Sequence, residues 1–219
     1  MKTLRTGLIA AVAALGIAVT LSLGAWQWGR AQQRLALQAA IEARAAQPPL
    51  QQDALLTAAG SPDLLHRPVV LRGQWLAQHT VYLDNRQMQG RPGFYVVTPL
   101  QLAVPASAPP VVLVQRGWVP RDFQDRTRLP PVETPAGEVT LTGRIAPAPA
   151  RLYDFDGAPA GPIRQNLDLA VFRRETGLAL VDGSVQQVGS PSEGLLRDWP
   201  APASGAEKNY GYAFQWWAL

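Results

Sequence analysis

The chain contains no cysteine, which excludes disulfides, thiolate metal sites and cysteine nucleophiles together. Histidine is almost as scarce: there are two, His66 and His79, and their spacing does not suggest a metal site. Charge is thin at 16% of residues, against about 25% in ordinary soluble chains. The net charge of +4 comes from scattered arginines, and without a basic stripe no nucleic-acid partner is expected. No serine stands in a G-x-S-x-G turn; Ser107, Ser184, Ser190 and Ser192 fall in loop-like stretches. The glycine-containing "GRPG" and "GAPAG" do not open helices, so neither is a phosphate loop. "YDFDGAPAG" alternates Asp154 and Asp156 before Gly157, but a calcium loop needs more oxygen ligands, and a surface turn is the expected reading. Asp84, Asn85 and Arg86 read as a hairpin bend before they read as an active-site cluster. No catalytic residue and no metal ligand is assigned.

What the chain does have is one long uncharged run. "MKTLRTGLIAAVAALGIAVTLSLGAWQWGR" carries Lys2 and Arg5 and then no charge from Gly7 to Trp28. A membrane helix needs about 20 apolar residues, whereas the apolar core of a secretory signal has about 7–15 and closes on a small-x-small cleavage site. Trp26 and Trp28 stand where that site would be and suit an interfacial belt, so an uncleaved anchor is preferred over a signal peptide. Residues 1–6 are then a cytoplasmic tail and 7–28 the transmembrane helix. A helical extension follows over 29–47, rich in Ala, Leu, Gln and Arg and ended by Pro48 and Pro49. Arg30 and Arg34, four apart, share a face; snorkelling to phosphate headgroups is the favoured role, and a carboxylate partner is the alternative.

From residue 48 to 206 the pattern is that of an exported, mainly-β domain. Strand-like runs centre on Val69, Val81 and Tyr95, with turn-like "DNRQMQGRPG" between the last two. "PPVVLVQRGWVP" is a further short strand. "GEVTLTGRI" repeats the texture of "RPVVLRGQW", which suits neighbouring strands of one sheet or barrel. Asn166 or Asp168 can cap the helix "LAVFRRETG" and Gly177 can close it; "LALVDGSVQQV" then reads as the last strand. The fold class expected is α+β and mainly β: a small β-barrel or β-sandwich with one or two helices after the N-terminal transmembrane helix. In "VQRGWVPR" a glycine separates Arg116 from Trp118. The arginine could stack on an indole or hold a carboxylate, but a strand-end turn with Trp118 in the core is the reading composition favours. Residues 207–219, "EKNYGYAFQWWAL" in full, end in aromatic residues with no charge after Lys208, and resemble the rim and first turns of a second, truncated transmembrane helix.

Five stretches in order resemble the Surfeit locus family of cytochrome oxidase assembly factors, over nearly the whole chain. "LGAWQWGR" is similar to the family's L-G-x-W-Q-x-x-R, and "HRPVVLRGQW" with "GFYVVTPL" continue the likeness. "VLVQRGWVP" is similar to V-x-R-G-W-V-P, and "NYGYAFQWWAL" to N-H-x-x-Y-A-x-x-W. The resemblance implies an exported domain between two spans of a bacterial inner membrane, with that domain on the periplasmic side. It implies a role in maturing the catalytic subunit of a haem-copper oxidase, with haem a as a transient cofactor, and no enzyme activity. Asn209 stands where the family has histidine, and an amide is a poor axial ligand, which speaks against iron ligation at that position; His66 and His79 would substitute only if they approach the membrane surface. The expected contacts with haem or partner are Trp26, Gln27, Arg30, Arg116, Trp118, Asn209, Tyr212 and Trp216, with Trp26, Gln27 and Arg30 meeting Tyr212 and Trp216. Beside this stand two other readings, an envelope hydrolase using Asp84, His79 and Arg86 and a generic exported binding module.

Overall fold

The computed structural model describes residues 2–58, 60–125, 127–149, 161–200 and 204–219. "YDFDGAPAG" lies outside the described residues apart from Gly161. Two compact units emerge: Met1–Ala43 with Ala201–Leu219, and Arg44–Pro200. In chain order the elements are α1 (Lys2–Ala45), β1 (Leu50–Gln51), α2 (Gln52–Thr57), β2 (Pro68–Trp75), β3 (Val81–Met88), β4 (Arg91–Leu102), β5 (Val111–Pro120), β6 (Glu138–Ala146), β7 (Ile163–Arg164), α3 (Leu169–Thr176), β8 (Ser184–Gln187) and α4 (Ala206–Ala218).

The first unit is helical. Helix α1 runs 44 residues without a break, because no proline interrupts its good helix formers and Arg44 in its last turn complements the dipole. Its N-terminal half is long and apolar enough to cross a membrane. Leu8, Ile9, Val12, Leu15 and Ile17 all face outward there, a cylinder of apolar surface that water does not tolerate. Helix α4 spans 13 residues, fewer than the about 20 a crossing needs, so a second span is not shown.

The second unit is a closed barrel. Strand β2 pairs antiparallel with β6 along its length, from Pro68↔Arg144 to Gln74↔Glu138, which confirms the two textually similar strands as neighbours. Its last residues also take β4 on their other edge, with Gly73↔Leu102 and Trp75↔Leu100. With β6–β8, β8–β5 and β5–β4 paired, this second partnership closes a ring of five strands, while β1, β3 and β7 attach at its margins. The sandwich alternative is thereby replaced by a single closed sheet.

Burial alternates along β2, with Val69, Leu71 and Trp75 inside and Arg72 and Gln74 outside. The interior they join includes Leu100, Leu102, Val112, Val114, Leu141, Ile145 and Val185. Each such side chain withdrawn from water contributes about 1.5–3 kcal/mol. On the other face of β3, β4 and β5, Phe172 of α3 packs with Val81, Leu83, Val97, Val111 and Leu113. Helix α3 is held as its sequence suggests: Asp168 accepts from the N–H groups of Ala170 and Val171, and Gly177 closes the helix at φ 69°.

The reading of "DNRQMQGRPG" as a turn is corrected. Asp84 to Met88 continue strand β3, and the reversal is confined to Gln89 and Gly90, both at positive φ. A register shift between Leu83 and Arg86, with Asn85 at φ 58°, gives this strand the turn-like composition: it is a β-bulge, which inserts an extra residue without ending the strand.

Barrel closure depends on Gly73. A Cβ there would collide with the carbonyl oxygen of Gln101 on β4, backbone that cannot yield as a flexible side chain can. Gly73→Ala is expected to destabilise the β unit by about 1–3 kcal/mol, read as a lowered urea midpoint of the full chain. An unchanged midpoint would show that the β2–β4 seam carries no strain-sensitive contact.

Candidate functional site: the α1–α4 helix pair

Within the helical unit, α4 runs antiparallel against α1. The contacts pair Leu21 with Trp217, Gln27 with Asn209, Gln32 with Tyr210 and Arg34 with Ser204 and Gly205. Close approach is possible because the facing residues are small: Ala31 on α1 and Ala206 and Ala213 on α4 are almost fully buried. A Cβ on Gly24 would fall inside the Trp217 indole, so this glycine is the notch that seats the ring. Small residues at such contacts are how helices approach in lipid, where no hydrophobic drive brings them together.

Two of the expected site residues meet directly. Asn209 Nδ2 donates to Gln27 Oε1 at 2.7 Å, an amide–amide bond linking the first and last family-like motifs. Around it Trp28 takes Tyr210 edge-on at 4.8 Å and lies 5.9 Å from Trp217, offset geometries that suit the ring quadrupole. Gln32 Nε2 donates to the Tyr210 hydroxyl at 3.0 Å, and Trp217 Nε1 to the Leu21 carbonyl at 3.3 Å.

The other expected residues are not gathered there. Trp26 is 57% exposed and carries the Arg30 guanidinium 5.8 Å above its ring. Tyr212 is 54% exposed and Trp216 is half-buried. The ring contacts across the pair are those of Trp28 with Tyr210 and Trp217. Arg30 and Arg34 also diverge, since Arg34 Nη1 donates to the carbonyls of Ser204 and Gly205 ahead of α4.

Gly24, Gln32, Tyr210 and Trp217 are overlooked in the sequence, while Trp28 and Arg34 are read there as membrane-surface residues. Their signal was helical spacing: 24, 28 and 32 follow one another at four residues on α1, and 210 and 217 lie two turns apart on one stripe of α4.

Arg116 and Trp118 belong to the barrel unit and are interior. Arg116 has no exposed surface; its guanidinium donates to Thr134 Oγ1, the Glu133 carbonyl and Glu193 Oε2 and stacks 4.7 Å from the Trp75 ring. Trp118 is 1% exposed and donates from Nε1 to the Arg86 carbonyl. Trp118 is in the core as composition favoured, but the expected strand-end turn is corrected: β5 continues to Pro120, with a bulge at Arg116. The groups invoked for a hydrolase are engaged elsewhere: Asp84 lies 3.8 Å from Arg121, and Arg86 is buried, donating to the Gln165 carbonyl, with burial pushing its pKa below the usual arginine value. Among the described residues no cluster of His, Cys, Asp and Glu could hold a metal ion.

His66 sits just before β2 in the left-handed region at φ 72°, its N–H donating to the Ile145 carbonyl. Burial, then the Arg144 and Arg44 charges, hold its pKa below 6.5. The imidazole therefore stabilises the fold in its neutral form. That contribution is complete above about pH 6.5 and is lost as pH falls through the folded-state value, because the unfolded chain takes up the proton first. His66→Asn, which tolerates the left-handed backbone, is expected to flatten the loss of urea stability from about pH 7 to about pH 5; an unchanged slope would assign it to other groups. For the helix pair, either Gln27→Leu or Asn209→Leu alone strands an amide, while both together remove the pair. Disulfide trapping between Ala31→Cys and Ala206→Cys, clean in a chain without cysteine, is expected to fall in each single variant and recover in part in the double. Additive losses would show that the amides are not coupled.

Comparison with known proteins gives the family. The family model of the SURF1 family matches residues 14–219. Over 113 residues, 51% of this chain, the sequence is 29% identical to a SURF1-like protein of Rickettsia felis. That stretch covers 44% of the relative, so the match spans less than half of its length. With a match reaching from the middle of the apolar run to Leu219, the chain belongs to the SURF1 family.

Proposed function

We propose that this protein is a membrane-anchored assembly factor for a haem-copper (cytochrome c) oxidase, assisting maturation of the catalytic subunit or insertion of haem a. In this reading α1 lies in a bacterial inner membrane with the β unit on the periplasmic side. The observation that carries the proposal is the helix pair, in which the first and last motifs of the family converge on the Gln27–Asn209 bond.

The pairing leaves one surface of α1 free. Trp26, with Arg30 over its ring, points away from the contact. Such residues, large and amphipathic, suit the interface level of a bilayer and the anchors of a protein interface. An assembly factor acts by docking, and this surface is where a nascent oxidase subunit would be met.

Haem a is cargo in this reading. The helical unit contains no histidine, and the Asn209 amide is a poor iron ligand whose N–H is already given to Gln27. The residues present therefore do not fit axial ligation, and no step is routed through it. What fits is charge and stacking: Arg30 over Trp26 offers a guanidinium to a carboxylate beside an aromatic face.

A reduced-minus-oxidised spectrum of membranes tests the proposal. Deleting the protein is expected to remove the a-type haem signal and keep the b- and c-type signals. Arg30→Ala is expected to lower the a-type signal several-fold with the factor's own abundance unchanged. An unaltered spectrum on deletion, with no second factor to compensate, would overturn the proposal, whereas equal loss of signal and abundance would make Arg30 structural.

A further inference from the structure

The barrel unit holds a cavity of about 250 Å³ that the helix-pair chemistry does not use. Its base is formed by Val112, Ile145 and Val185, interior residues of β5, β6 and β8, and Leu55, Leu64 and Leu65 from the α2 region form its roof. The volume exceeds the roughly 150 Å³ of an engineered apolar cavity that binds benzene.

The polar side chains in the wall are already engaged. Asp182 pairs with Arg173 at 2.5 Å. Ser184 Oγ donates to the Pro147 carbonyl and accepts from Gln115 Nε2, and Ser61 Oγ accepts from the Asp63 N–H. An ordered water needs two to four polar partners, and these side chains offer it little. An ionised ligand would likewise meet no free counter-charge among the described lining residues. The roof closes over the wall at Gly60, which takes φ 77° and whose missing Cβ would lie 3.3 Å from the Asp182 Cβ; a side chain there would hold the roof away.

We propose that this cavity binds a neutral aliphatic chain end, the acyl tail of a lipid, recognised by shape and apolar contact alone. The lining is aliphatic rather than aromatic, and the proposal rests on the reading of α1 as a membrane anchor, which makes lipid the nearest source of such chains. The site is independent of the helix pair and of the oxidase reading.

Photolabelling tests it on the full chain in lipid nanodiscs, with a diazirine-bearing fatty alcohol as the probe. Label is expected on α1, as for any membrane helix, and also on the segments around Leu55–Leu65 and Ile145–Ala148. Excess unlabelled fatty alcohol is expected to compete the second label saturably while the α1 label declines only by dilution. Ala146→Phe, which fills the cavity, and the milder rim variant Ala148→Leu are each expected to lower the barrel label at least several-fold with α1 labelling kept. Label confined to α1 and α4 in the unmodified chain would overturn the proposal whatever the variants do. Barrel label that does not saturate, or that survives in a folded filled variant, would equally overturn it as surface adsorption.

Discussion

The β unit depends on one buried cation. A guanidinium with 0% exposure would cost on the order of tens of kcal/mol if left alone in a low dielectric, so the surrounding chain is arranged to solvate it. A bulge in β5 makes room: Val97 faces Gln115 and Val96 faces Gly117, leaving Arg116 as the extra residue. The guanidinium there gathers a hydroxyl, a carbonyl and a carboxylate around the Trp75 face. Glu193 takes φ 59° to serve it, a strain a non-glycine residue accepts only when its surroundings over-determine it. The same carboxylate receives Arg197 at 3.2 Å, and Arg197 returns a bond to the Arg116 carbonyl. Removing one member of such a set costs about 3–5 kcal/mol because the others are left uncompensated. The loops at 131–134 and 190–197 are therefore fixed by one side chain.

This explains why arginine, glycine and tryptophan follow one another. Trp118 and Leu196 exchange both backbone hydrogen bonds, which lays the 190–197 loop directly on β5. A Cβ on Gly117 would meet the Leu196 carbonyl at 2.7 Å and the Leu195 Cβ at 2.8 Å, so nothing larger than glycine lets the loop close. The tryptophan then fills the interior and satisfies its N–H on the Arg86 carbonyl. Arg116 faces the Trp75 ring and Trp118 the Arg91 guanidinium, so each large member of the triplet is held by a partner from a different strand.

How far the sequence discloses the structure follows from how local each cause is. The cap at Asp168 and the stop at Gly177 are set within about ten residues, the uncharged run is continuous along the chain, and each appears where composition places it. Barrel closure is not local: it rests on the end of β2 pairing with β4 as well as with β6, a choice that alternation along one strand cannot express. The bulge at Asp84 and Asn85 misleads because turn and bulge demand the same residues, those tolerant of positive φ. In the helix pair, Gln27 and Asn209 could be singled out from their motifs, but which tryptophan faces inward depends on helical phase. Trp26 and Trp28 are 200° apart around α1, so composition treats as equals two residues that the fold sends to opposite faces.

That difference in phase separates two kinds of family motif. In the barrel, the charged and aromatic groups of "VQRGWVP" are consumed internally, and their chemistry is spent on holding loops in place. On the helix pair, Gln27, Trp28 and Asn209 are likewise consumed in pairing, but Trp26 and Arg30, two and one residues away from Trp28 and Gly29, remain open. A motif shared by relatives therefore does not mark a contact surface as a whole. In "LGAWQWGR" the residues at one helical phase build the pair, with Gly24 admitting Trp217 and Gln27 fixing Asn209, and those at the other phase are left over by that packing. The leftover face is the part of the motif whose residue types packing does not require, and for that reason it is the part on which a docking role rests.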